Sequence, residues 1–375
     1  MRIASLLLVA GFCMSASFAP LGAEELLVID RERTLASDGT VVELKEPRRL
    51  EVRKGSGKVA EMDFRRPGTR SFQLHFQMAS AAASGWTLQI LDRDGREAWK
   101  YSPAAGGPGD VWSNEIPGSS AKLIVSRTGE GDAFTILIDR AAISQLGVVP
   151  ESISGARQFE PIDRQSSEIR EMGRATARLR FIGDNGRRYV CTGFLISADV
   201  FVTNEHCPET ESEWRSSLVD FDFNSALARP ETLRFSERIG ADRNLDVAIY
   251  RLERKLDGRQ PLKPAVAALA EEHSLFIIQH PGGEPKQISR IECRVQGVDL
   301  AGVSSRKTDF GHLCDTLGGS SGSAVMSASS KQIIGLHHLG FVSTSQQPVN
   351  RAVKMSLILE WIAEKHPALK AELSL

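Results

Sequence analysis

A two-residue alternation of apolar and polar side chains recurs along this chain and yields to a helical period only near its end. Half-buried strands need that pattern, because successive side chains leave a strand on opposite faces. Phe72, Leu74, Phe76 and Met78 alternate with polar neighbours, as do Trp86, Leu88 and Ile90, and later Phe134, Ile136 and Ile138. Turn formers separate the runs, among them Asp92-Arg93-Asp94-Gly95 and the Gly- and Pro-rich stretch 104–109. Strands resume at Ala177 to Ile182 and at Tyr189 to Ile196, with Asp184-Asn185-Gly186 between them as a hairpin signal. Val353, Leu357, Ile358, Trp361 and Ile362 then share one helical face, which Pro367 is expected to stop. The pattern predicts an all-β chain with one terminal helix.

A length of 375 residues suggests two domains. Residues 24–148 read as a small β-sandwich, 149–171 as a linker holding Pro150 and Pro161, and 172–375 as a second β domain. Charged residues make up 25% and the net charge is -1, so no basic excess points to nucleic acid or an anionic membrane as partner. The start, Met1-Arg2-Ile3 followed by an apolar run to Phe12, is too short to span a bilayer and reads as a secretory signal over residues 1–23. No later segment is long and apolar enough to cross a membrane, so none is expected once the signal is gone. Export leaves Cys191, Cys207, Cys293 and Cys314 in an oxidising compartment, where two disulfides are expected and three pairings are open. No metal is expected: Cys-x-x-Cys and paired-His motifs are missing, and Asp92 with Asp94 reads as a turn.

Chemistry concentrates in the second half. Ser321 sits in Thr316-Leu317-Gly318-Gly319-Ser320-Ser321-Gly322-Ser323, a run of small residues before Ala324-Val325. A serine hydroxyl is a weak nucleophile that needs a base and backbone donors for the oxyanion it creates; Gly319 and Gly322 allow the tight backbone that aims the Gly319 and Ser321 amides at one point. Upstream, Val200 to Thr203 reads as a strand running into Asn204-Glu205-His206-Cys207, and Asp246 opens the apolar run Val247 to Leu252. An aspartate there is either a turn residue or a buried carboxylate orienting an imidazole, since unpaired buried carboxylates are costly. His280, before Pro281-Gly282-Gly283, reads as structural.

In the order His206-Cys207, Asp246-Val247-Ala248 and Gly319-Ser320-Ser321-Gly322, residues 170–365 resemble the chymotrypsin-like serine peptidases. The resemblance implies a double β-barrel with the site in its cleft, a catalytic set of His206, Asp246 and Ser321, an oxyanion hole from the Gly319 and Ser321 amides, and no cofactor. It implies a Cys191–Cys207 disulfide, which leaves Cys293 and Cys314 to pair. An α/β-hydrolase is excluded, because Ser323 replaces the second glycine of its motif and the triad order differs.

Ser320 stands where the trypsin branch carries the aspartate that pairs with a new N-terminus, so activation by that ion pair is not expected. The local sequence resembles the bacterial glutamyl-endopeptidase branch, which implies that Thr316 and His337 hold an acidic substrate side chain. Asp315, six residues before Ser321, occupies the position that selects Lys or Arg in trypsin, and the two make opposite demands on one pocket. The reading is a secreted endopeptidase acting on protein or peptide substrates with an acidic residue before the cleaved bond. A basic preference, an inactive peptidase-fold binding protein, and a binding protein led by the first domain, whose partner the sequence does not name, are the alternatives.

Overall fold

A computed structural model describes residues 35–78, 85–103, 110–144, 151–153, 157–304, 306–340 and 349–374; the segment read as a signal, 1–23, lies outside them. The apolar alternation of the first half closes on itself across two antiparallel sheets. Strands Ala36–Val52, Phe134–Ser144 and Ser71–Met78 pair side by side in one, and Gly57–Arg65, Ser120–Arg127, Trp86–Asp92 and Glu97–Tyr101 in the other. Phe72, Leu74, Phe76, Ile136 and Ile138 from the first meet Leu88, Ile90, Leu123 and Val125 from the second in one core, as in a sandwich. Asp92 Oδ1 accepts from the amides of Asp94 and Arg96, so this aspartate holds a turn.

The second half forms two curled sheets. In the first, the hairpin Thr176–Ile182 and Arg187–Leu195 continues through Val200–Thr203 and Val247–Leu252 to Phe235–Asp242 on one side, and through Leu218–Phe221 to Glu231–Leu233 on the other. The second runs Gln287–Ser289, Leu275–Gln279, Ala324–Ser327, Ile333–Leu339, Asn350–Lys354 and Asp309–His312. Arg294 pairs with Ser274, just before Leu275–Gln279, while its neighbour Val295 pairs with His312, which links the far strand Asp309–His312 back to Leu275–Gln279 and curls the sheet round. This is the trypsin-like double-barrel architecture, with short helices at its C-terminal end.

Three local features differ from the sequence reading. Val353 belongs to strand Asn350–Lys354, and the helix begins at Met355. Pro367 opens a second helix, Pro367–Leu373, as its missing N–H permits at a first helical position. The stretch read as a linker is largely structured over its described residues. It holds the turn Ile162–Arg164, the helix Ser167–Arg174 capped by the Ser166 side chain, and short strands that pair Glu160 with Ile288 and Glu151 with Leu317.

The sandwich and the first barrel share an element. Strand Ala36–Val52 pairs with Phe134–Ser144 along most of its length, yet its start also pairs with the barrel hairpin, Ala36 opposite Val190 and Thr40 opposite Arg187. Buried charges sit over that junction. Arg180 pairs with Asp220 at 2.7 Å and with Glu115 of the sandwich, and Arg188 reaches Glu115 at 3.3 Å and Asp38 at 3.2 Å.

Candidate active site

Strand pairing brings the first two site residues together. Thr203 lies opposite Ala248 and Val202 opposite Ile249, so the residues just after Thr203 meet those just before Val247. His206 Nδ1 donates to Asp246 Oδ2 at 2.7 Å, and the His206 amide donates to Asp246 Oδ1 at 2.9 Å. Asp246 adopts a positive φ of 44°, which aspartate tolerates better than most residues. Asn204 Nδ2 donates to the Asp246 carbonyl at 2.9 Å, and a Cys191–Cys207 disulfide pins the chain next to the imidazole. Burial favours the neutral acid at Asp246, but the imidazoles of His206 and His338 outweigh it and hold the carboxyl well below the usual range. A ring that donates through Nδ1 presents Nε2 as acceptor, and His206 Nε2 is buried with no hydrogen-bond partner among the described residues.

Ser321 lies on the turn between strands Thr316–Leu317 and Ala324–Ser327 and is 3% exposed. Ser320 braces that turn: its amide donates to Leu317 O at 2.9 Å, its hydroxyl accepts from Leu317 N at 3.1 Å, and its carbonyl accepts from Ser323 Oγ at 2.6 Å. Two glycines are required. Gly319 has φ 98°, and a Cβ there would stand 2.8 Å from His280 O; Gly322 has φ 87°, and its Cβ would stand 2.1 Å from Thr192 O. Thr192 of the first barrel ties the turn across the cleft, its amide donating to Ser321 O and its hydroxyl to Gly319 O, each at 2.8 Å. Among the described residues the Gly319 and Ser321 amides donate to no backbone acceptor, the condition for receiving an oxyanion. His280 is buried, its Nδ1 2.9 Å from Glu284 O, and its carbonyl forms the wall behind Gly319.

The residues expected around a substrate side chain are buried but engaged differently. Asp315 turns its carboxylate to the connector, accepting from the Gln158 amide at 2.9 Å. Thr316 pairs through its backbone with Ser152. His337 faces His312, with Nδ1 3.1 Å from His312 Nε2, and burial foremost, with the neighbouring imidazoles, keeps His337 far below the usual histidine range. A second disulfide joins Cys293 to Cys314, next to Asp315.

Sequence reasoning missed His338, Asp309, His312 and Asn204. A signal for His338 existed: His337-His338 stands in a strand, where consecutive side chains point to opposite faces, so only one of the pair can face the expected pocket.

Two curled sheets, with His206 and Asp246 at the end of one and Ser321 on a glycine-bound turn of the other, resemble the arrangement of the trypsin-like serine peptidase class. In keeping with that class, residues 191–336 match the family model of the trypsin-like peptidase domain. Over 173 residues the chain is 30% identical to secreted RxLR effector protein 73 of Plasmopara viticola, an alignment covering 40% of this chain and 42% of the relative. The chain thus spans less than half the length of that relative. Among solved structures, the active form of the Rv3671c protease from M. tuberculosis aligns at 16% identity and TM-score 0.44, covering 56% of this chain and 92% of that one. The HtrA-type protease AlgW with tripeptide aligns at 16% identity and TM-score 0.42, covering 53% and 63%.

Proposed function

We propose that this chain is a secreted serine endopeptidase in which Ser321, His206 and Asp246 form the catalytic triad. The observation that carries the reading is the buried His206–Asp246 pair, whose 2.7 Å bond at Nδ1 leaves Nε2 free to act as a base. Ser321 Oγ attacks the peptide carbonyl and gives its proton to His206 Nε2. The tetrahedral oxyanion is received by the Gly319 and Ser321 amides, and His206 then delivers the proton to the leaving amine. Water, activated by the same imidazole, releases the acyl group and restores the serine. The missing Ser321–His206 bond is common before substrate arrives, when such contacts are long. Two disulfides support an oxidising, extracytoplasmic setting.

An acidic residue before the cleaved bond fits the pocket side chains. The Asp315 carboxylate, which would favour a basic residue, is already used by the Gln158 amide, and Thr316 and His337 stand at the positions that the resemblance to the glutamyl-endopeptidase branch assigns to an acidic side chain. Treating the full chain and its Ser321→Ala variant with a fluorophosphonate probe and a peptide library tests both levels. Labelling and cleavage after Glu or Asp are expected in the parent and neither in the variant. Cleavage after Lys or Arg would overturn the specificity, and an unlabelled parent would overturn the enzyme.

A further inference from the structure

Next to the His206–Asp246 pair lies a second imidazole that the acyl transfer does not call on. His338 is wholly buried in strand Ile333–Leu339, with Nδ1 3.1 Å from Asp246 Oδ2 and Nε2 2.7 Å from Asp309 Oδ2. Asp309 opens strand Asp309–His312, and its other oxygen accepts from Thr308 Oγ1 at 2.9 Å. Asp309, His338, Asp246 and His206 therefore stand in one continuous hydrogen-bonded line. Strand geometry makes the line possible. His337 lies opposite Ala352 and Leu339 opposite Arg351, so His338 is the extra residue of a β-bulge, a device that re-aims a side chain beside a site.

Proton counting gives the line its charge. An imidazole bonded to a carboxylate through each nitrogen completes both bonds when it carries two protons. The imidazolium then leaves a single net negative charge buried among the three groups, where a neutral ring between two carboxylates would leave two, at a far higher desolvation cost. Burial alone would push the ring down, but Asp309 and Asp246 outweigh it and carry His338 up to about 10. The other titratable neighbours oppose or sit apart from this charge. Burial drives His312 down to about 3 and His337 well below its ordinary value, with His338 adding to both shifts. Glu205, on the loop before His206, is raised by burial and then by Glu209 and Asp246, and it faces Arg238 and Arg243 at 3.8 and 3.9 Å.

We propose that His338 is a positioning residue, an imidazolium held by Asp309 that fixes the Asp246 carboxylate against His206. Asp246 Oδ2 is shared between the two imidazoles, so the cation on one side weakens the pull that Asp246 exerts on a proton of the other. As a statement about catalysis this rests on the peptidase reading above; as a statement about the charge on His338 it needs no turnover.

The test is NMR of the full chain labelled with 15N-histidine, titrated in the wild type, His338→Gln and Asp309→Asn, with the pH dependence of fluorophosphonate labelling measured in parallel. Both His338 nitrogens are expected to be protonated at neutral pH in the wild type. The acid limb of labelling is expected to move up by about one pH unit in His338→Gln and by less in Asp309→Asn, a shift typical of removing one nearby charge. A simple loss of folded protein does not produce such a displacement. A His338 ring with one proton at neutral pH, or an acid limb unmoved in the variants, overturns the proposal. Should His338→Gln fail to fold, Asp309→Asn decides alone. A doubly protonated His338 in a wild type that takes no label would defeat the peptidase reading and leave this one standing.

Discussion

Two buried bases give opposite pH responses. His338 has an ordinary value of 6.5 and is carried up to about 10, so its contribution to stability is complete below about 6.5 and is lost as pH rises towards 10. Lys286, whose Nζ donates to Gly173 O at 2.6 Å, is pressed by burial from 10.5 down to about 7. Between those two values the unfolded chain binds the extra proton, so this residue makes stability rise with pH. Each slope is about 1.4 kcal/mol per pH unit, and over the shared window they oppose each other. Urea unfolding followed across alkaline pH should show a falling curve for Lys286→Met and a rising one for His338→Gln, relative to the parent. Parallel curves for the two variants would refute the assignment. His206, Asp246 and Ser321 stand out in sequence because each sits in a short local pattern: a strand end beside a cysteine, an acid before an apolar run, a serine between glycines. His338 and Asp309 do not, because their meeting depends on a bulge and on a strand partner, neither of which has a local signature.

Strand Ala36–Val52 is the element that most departs from an independent two-domain reading. Its pairing with Arg187–Leu195 joins segments about 150 residues apart, and single-sequence periodicity carries no information on which strand lies beside which. The helix Ser167–Arg174 was hidden by its shortness, although Ser166 is a recognisable N-cap. Glu115 holds the junction. Burial would raise its carboxyl, yet Arg180, Arg188 and Arg178 outweigh this and keep it well below the usual range. Taking one partner from such a group strands the others in a poorly solvated place. Glu115→Gln is therefore expected to cost about 3 kcal/mol in thermal or denaturant unfolding. It should also speed amide exchange at Gly39 and Thr40, whereas Glu43→Gln, on an exposed position of the same strand, should change neither. Equal effects from both substitutions would show that the charge cluster is not what holds the junction.

At the scale of the whole molecule, alternating periodicity, a late helical face and one ordered trio of motifs pointed to an all-β chain with a double barrel. The closure of the second barrel through Arg294 and Val295, and the connector's contacts with Gln287, Ile288, Thr316 and Leu317, come from tertiary pairing that such patterns do not encode. The shared strand has a consequence for maturation. A protease that cuts the connector near Arg157 would sever the backbone but not the sheet, because the first half still lends Ala36 to Thr40 to the barrel and Glu115 to its arginines. Such a nicked form should run as two bands on a denaturing gel and as one particle on size exclusion. The N-terminal half would then behave as a non-covalent subunit of the peptidase fold, and not as a propeptide discarded on activation.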